Sequence, residues 1–178
     1  MIRYLFRPFL ALSFFIAIIT ACAHIRPHDD YLLSFTDEST DQYGYRDAKG
    51  RAVISLGKYT MCFTDTFRTY AIVLKEHSGF VAIDRQENVL YNVFPFDNGP
   101  DYVEDGLFRI IEDRKIGFAD AKTGIVIIKP QFDCAFPFEN GKAKVSTDCK
   151  SEFRGEHKIW ISENWFYIDK SGRNIDQP

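Results

Sequence analysis

Ile116-Gly117-Phe118-Ala119-Asp120-Ala121-Lys122-Thr123-Gly124-Ile125-Val126-Ile127-Ile128-Lys129-Pro130-Gln131-Phe132-Asp133 reads as two β-strands folded about a tight turn. Alternation places the residues four and two before the Asp on one face of the first strand, here Ile116 and Phe118. The turn follows from its chemistry. An Asp carboxylate accepts backbone N–H groups two residues on, and a Gly or Asn takes the left-handed position that a bulged short hairpin requires. A second apolar run begins at Ile125, and beyond Phe138-Glu139-Asn140-Gly141 a third occupies Lys142–Val145.

The same pattern recurs along the chain. Tyr43-Gly44-Tyr45-Arg46-Asp47, Phe80-Val81-Ala82-Ile83-Asp84 and Trp165-Phe166-Tyr167-Ile168-Asp169 align with it, each followed within four residues by Gly50, Asn88 or Gly172. The aspartates are 37, 36 and 49 residues apart, and an aromatic lies twelve residues after each of the first three, at Tyr59, Phe96 and Phe132. A competing alignment of Phe94-Pro95-Phe96-Asp97-Asn98-Gly99 with Phe136-Pro137-Phe138-Glu139-Asn140-Gly141 breaks this phase, being 42 residues apart, and is set aside as accidental. Second strands fall at Ala52–Ile54, Val89–Tyr91, Ile125–Ile128 and Asn174–Ile175, and third strands at Tyr70–Leu74, Leu107–Ile111 and Lys142–Val145. A unit of about 36 residues cannot bury its own face, so neighbours must stack and share a core. The expected fold is all-β, an array of about three and a half three-stranded antiparallel β-meander repeats, with units near 43–78, 79–114, 115–162 and 163–178. The last, short copy is expected to serve as a cap.

The fullest unit resembles the WG repeat family, a bacterial module of this length named for a Trp-Gly pair. The resemblance extends over roughly 43–175. It departs from the family in lacking any Trp-Gly dipeptide: Trp165 precedes Phe166, while Gly44 and Gly117 follow Tyr43 and Ile116. The family brings no reaction or ligand with it.

Composition agrees with a single β-rich domain. The chain has 178 residues, 46% hydrophobic and 26% charged, with 17 Phe and 9 Tyr against 2 Met. Disorder and a small disulfide scaffold are excluded. Formal net charge is -3, and no run of Lys or Arg follows the first segment, so nucleic acid is not an expected partner.

The N-terminus is read as an address. Residues 1–21 carry Arg3 and Arg7, then an apolar run from Phe9 to Ile19, too short to cross a bilayer, as in an export signal. Ile19-Thr20-Ala21-Cys22 resembles the bacterial lipobox, which implies acylation of Cys22 and attachment of the mature chain to a membrane through its lipid. Ala23 after that cysteine implies the outer membrane, facing the periplasm. Residues 22–42 read as a tether, and His24, His28, Asp29 and Asp30 within it are not taken as a metal site.

Candidate chemistry is sparse. Asp47, Asp84, Asp120 and Asp169 occupy equivalent turns, so a structural role explains all four where catalysis would need them to converge. Asp97, Asp101, Glu104 and Asp105 could hold a cation through oxygen ligands, but they lack EF-hand spacing and read as a solvated loop. His77 and His157 read as exposed turn residues, and no nucleophile, phosphate-loop or paired-His motif is present. No cofactor or metal is expected. Residues 146–162 interrupt the repeat. Three cysteines remain in an oxidising compartment, of which Cys134 and Cys149 are the expected disulfide and Cys62 the leftover thiol. The expected function is a non-catalytic binding or scaffold module acting on an envelope protein. The alternative is a periplasmic enzyme or inhibitor whose site is built from the 146–162 insertion and the 97–105 acidic loop.

Overall fold

The computed structural model describes residues 31–176. The segment read as an export signal, Cys22 and the histidines at 24 and 28 lie outside the described residues. Every regular element within them is a β-strand, and the all-β expectation holds.

The chain enters the fold earlier than expected. β1 (Leu32–Asp37) lies inside the stretch read as a tether and pairs antiparallel with β2 (Gln42–Arg46), from Leu33 opposite Arg46 to Asp37 opposite Gln42. Leu32 supplies the reason, since it is fully buried in the first core. The folded domain therefore includes residue 32, and the boundary at 42–43 is corrected. β3 (Ala52–Tyr59) completes the first hairpin. β4 (Met61–Cys62) and β5 (Thr66–Phe67) are short, and β5 returns to pair with β1.

The array then builds by simple succession. β6 (Ala71–Lys75) pairs with β7 (Gly79–Ile83), and β7 with β8 (Val89–Val93). A small hairpin, β9 (Pro95–Phe96) and β10 (Gly99–Pro100), precedes β11 (Leu107–Glu112). β11 pairs with β12 (Lys115–Asp120), and β12 with β13 (Val126–Phe132). β14 (Cys134–Ala135) and β15 (Lys142–Ser146) follow, then the projecting hairpin β16 (Lys150–Arg154) and β17 (His157–Ile161), and finally β18 (Phe166–Asp169) against β15. The larger sheets run β3-β2-β1-β5, β13-β12-β11-β8-β7-β6-β4 and β14-β15-β18.

Three of the four aspartate turns share one geometry. Asp47, Asp84 and Asp169 each accept the backbone N–H groups two and four residues on through Oδ1, at 2.9–3.1 Å. Asp120, in a turn one residue longer, accepts from Lys122 and Thr123. The left-handed position is Gly50, Gly124 or Gly172, but in the second unit it is Glu87 (φ 65°) and not Asn88, whose side-chain amide instead donates to Asp84. Glu87 is held there by Lys58 and the Tyr59 hydroxyl of the first unit.

Both faces of the inner first strands are buried, which a single-face reading of the alternation misses. Val81 and Ile83 enter the first core with Tyr45, Ile54 and Phe67, while Ala82 belongs to the second with Phe108 and Ile110. Likewise Ala119 faces the second core, and Ile116 and Phe118 the third, where Phe118 meets Phe138 edge-on at 4.8 Å. In the last copy Ile168 is the buried residue, and Tyr167 is half-buried. Each core is thus shared between consecutive units.

The regular spacing of 36 conceals two offsetting changes. In the first and third units the second strand bulges past a glycine: Tyr45 opposes Ile54 while Tyr43 opposes Tyr59, and Phe118 opposes Ile128 while Ile116 opposes Phe132. In the second unit Val81 opposes Asn92 with no bulge there. The N–H groups of Phe63, Phe94 and Phe136 donate to Ile72, Arg109 and Lys144 at equivalent points of β6, β11 and β15. Phe94-Pro95 and Phe136-Pro137 are therefore equivalent, and their likeness is not accidental. The likeness ends there, because Asp97-Asn98-Gly99 forms the turn of the extra β9–β10 hairpin, whereas Asn140-Gly141 matches Asp105-Gly106, both turns having two successive positive φ values. The aromatic mark at Phe96 is also withdrawn. It sits in the extra hairpin, about half exposed, and has no pairing like those of Tyr59 and Phe132.

Candidate functional site

The two departures from the repeat, the β9–β10 hairpin with its following loop and the 146–162 insertion, meet over one side of the array. Between them lies a cavity of about 790 Å³ lined by Phe94, Pro95, Phe96, Asp97, Tyr102, Arg109, Ile111, Phe136, Pro137, Ile159 and Trp160. This volume falls within the range of about 300–1,000 Å³ usual for small-ligand clefts.

Its base is an ion pair. Asp101, expected in a solvated loop, is buried together with Arg109 (5% and 3% exposed). Asp101 Oδ2 accepts from the Arg109 backbone N–H at 2.7 Å and from Nε at 2.9 Å, and Oδ1 accepts from Nη2. Nη1 of Arg109 donates to the Ala135 carbonyl at 3.1 Å, tying the second unit to the third. The guanidinium lies 4.3 Å from the ring centroid of Phe94. Burying either charge alone would be costly, and here each satisfies the other, so neither is left for a ligand. Asp105 is also occupied, accepting the Gly141 N–H at 2.7 Å. The acidic cluster is thereby dispersed, and among the described residues no group of His, Cys, Asp and Glu could hold a metal ion.

The walls are aromatic. Phe96 and Tyr102 meet edge-on at 4.9 Å, and Phe136 meets Trp160 edge-on at 5.3 Å. Phe96, Tyr102 and Phe136 are each exposed by more than two-fifths, against the usual burial of such side chains. Trp160 also contacts Phe94 at 6.1 Å. Trp160 comes from β17, whose hairpin has no ladder partner in the larger sheets. Two ties hold it in place. Cys134 and Cys149 are joined by a disulfide with Cα atoms 5.7 Å apart. Asp148 accepts from the hydroxyls of Ser146 and Ser162 and from the Asn164 amide, which holds its carboxyl down at about 2.

The remaining sequence candidates stay apart. The four turn aspartates are bound to their own turns, and those turn hydrogen bonds hold each carboxyl below its usual range, at about 2 for Asp169. His77 is exposed in the turn between β6 and β7. Cys62 is half-buried, and burial pushes its thiol up to about 11. A thiol so disfavoured as thiolate is a poor nucleophile at neutral pH. The sequence located the acidic loop and the insertion that carries Trp160 but missed Arg109 and Phe136. The available signal was an Arg in the apolar run Leu107-Phe108-Arg109-Ile110-Ile111, where a charge implies a buried partner.

Stacked β-meanders sharing cores, with a cleft where two insertions meet, define a β-repeat protein. Residues 116–148 match the family model for the WG containing repeat, so this chain carries a repeat of that family, spanning β12 to the loop after β15. No curated protein and no solved structure matches the chain.

Proposed function

We propose that this is an envelope-anchored lipoprotein, held through acylated Cys22 at the outer membrane, that acts as a non-catalytic binding or scaffold module. Its ligand seat is the aromatic cleft. The observation that carries the reading is the exposure of Phe96, Tyr102 and Phe136 around a buried, mutually satisfied Arg109–Asp101 pair. Exposed aromatic side chains grouped about a rigid base favour binding, because rings contribute large contact area with few rotamers to immobilise. The self-contained ion pair argues for a fixed support in place of acid–base work, since a general acid or base must reach its substrate.

A second reading has its own support. The 146–162 insertion and the 97–105 loop do come together at the cleft, as an enzyme or inhibitor built from them would require. Asp101 is withdrawn from that chemistry by Arg109, which favours the binding module.

Site-specific photocrosslinking in cells distinguishes the cleft from the rest of the surface. A photoreactive residue at Phe96 should trap a discrete partner, and one at Lys49, in the exposed first turn, should not. Equal trapping from both positions, or none from Phe96, would overturn the assignment.

A further inference from the structure

We propose that the cleft receives an extended, proline-rich segment of a partner protein in the polyproline II conformation, with a basic side chain of that segment against Asp97. The inference rests on the cleft being the ligand seat. Three features converge on this occupant.

The first is the balance of donors and acceptors. Among the described residues, neither the Tyr102 hydroxyl nor the Trp160 indole N–H has a hydrogen-bond partner. Both can donate, and the indole can only donate. The carboxylate at the base, Asp101, is saturated by Arg109. A prolyl segment has backbone carbonyls and no N–H, so its backbone needs donors, and the Tyr102 hydroxyl and the Trp160 indole supply them.

The second is shape. The edge-to-face pairs Phe96–Tyr102 and Phe136–Trp160 flank Pro95 and Pro137, giving a ridged apolar surface. Aromatic-lined grooves of this kind accept pyrrolidine rings between their own rings. The segment is already ordered before it binds, and the disulfide and the Arg109 bonds hold the cleft, so little freedom remains to be lost.

The third is charge. Asp97 lines the cleft, is exposed and makes no ion pair among the described residues, whereas Asp105 and Asp133 are engaged. A free carboxylate beside an aromatic groove selects a Lys or Arg flanking the prolines.

The test uses the full chain in detergent micelles and a synthetic probe, one Arg followed by about nine prolines, compared with a Gly-Ser peptide of equal length and charge. Titration calorimetry should show saturable binding of the proline probe, at least about tenfold tighter than the control. Tyr102→Phe, which removes only the hydroxyl, should weaken binding several-fold. Trp160→Phe, which keeps a ring but loses the N–H, should weaken it too, and retained thermal melts would show that both variants fold. Replacing the probe's Arg by Glu should weaken binding to the wild type but not to Asp97→Asn. Equal binding of the two peptides, indifference to Tyr102→Phe and Trp160→Phe, or saturable binding of a chito-oligosaccharide in place of the probe would each overturn the proposal. A partner trapped from Phe96 whose crosslinked segment holds no prolines would end this inference while sustaining the binding-module reading. Absence of any trapped partner would end both.

Discussion

The carbonyl oxygen of Ile128 stands over Gly117 so closely that a Cβ on Gly117 would lie 2.4 Å from it. Gly44 has the same relation to Ile54, at 2.7 Å. Both glycines sit three residues before a turn aspartate, opposite the bulge of the second strand, and Val81 occupies that position in the unit that lacks a bulge there. The glycine of the repeat thus answers to a close backbone approach. Gly117→Ala must displace strand backbone and is expected to cost about 2–3 kcal/mol, as overpacking does. Urea denaturation checks it, with Gly44→Ala also destabilised. An unaltered midpoint for Gly117→Ala would mean that the bulge yields freely.

Much of this was legible in the sequence, and the limits have physical causes. The strands around Asp120 and the turn at Asn140-Gly141 follow from local pattern, because alternation and turn chemistry act within a few residues. The equivalence of Phe94 and Phe136 did not, since a strand shortened near Asn92 and a hairpin added at Asp97 nearly cancel in the count. β1 was hidden for a related reason. Leu32 and Phe35 stand among acidic residues, and only pairing with β2 makes them a strand. The cleft was least legible, because Trp160 reaches Phe94 and Phe136 through contacts that local sequence does not encode.

The Arg109–Asp101 pair is buried, so removing one partner strands the other. Arg109→Met is expected to lose about 3–5 kcal/mol. The double variant Arg109→Met, Asp101→Leu should recover a large part of that loss, and chemical denaturation of the three variants measures the coupling. A double variant as unstable as the single would show that the Arg109 bond to Ala135, and not the relief of a buried charge, governs the effect.

The turn aspartates and Asp148 predict an acid limb. Their folded carboxyls lie below the unfolded range near 3.9, with Asp148 and Asp169 at about 2. A depressed folded value gives stability that is fully present above the unfolded value and lost as pH falls through the folded one. Stability should therefore decline between about pH 4 and 2. The slope should be shallower in Asp169→Asn, and denaturation midpoints across that window provide the measurement. Because Asp120 bonds its own turn, Asp120→Ala is expected to lose about 1 kcal/mol. A melt identical to wild type would remove the turn argument.

Acylation at Cys22 is tested in cells. Metabolic labelling with palmitate should mark the wild type and be abolished in Cys22→Ala. Labelling that persists in the variant would place the lipid elsewhere or defeat the anchor.

The disulfide carries the last prediction, because it connects stability to the cleft. Cys134 begins β14, directly opposite Ser146, and Cys149 lies just past β15, so the bridge fastens the root of the β16–β17 hairpin to the third unit. Closing a loop of 15 residues contributes about 3 kcal/mol in the chain-entropy model. The Cys134→Ser, Cys149→Ser double variant should lose stability of that order, and its loss should be greatest at the insertion, where only the ring contacts of Trp160 with Phe94 and Phe136 and the Asp148 hydrogen bonds remain as ties. Hydrogen exchange should therefore rise first along β17, while β12 in the middle of the array stays protected. Non-reducing peptide mapping of protein purified from its native host without reductant provides the covalent check. A crosslinked peptide containing Cys62, or full alkylation of all three thiols without reductant, would break the link between the bridge and the cleft wall. Uniform loss of protection across all units would do so as well, since it would show the hairpin to be held by the array as a whole.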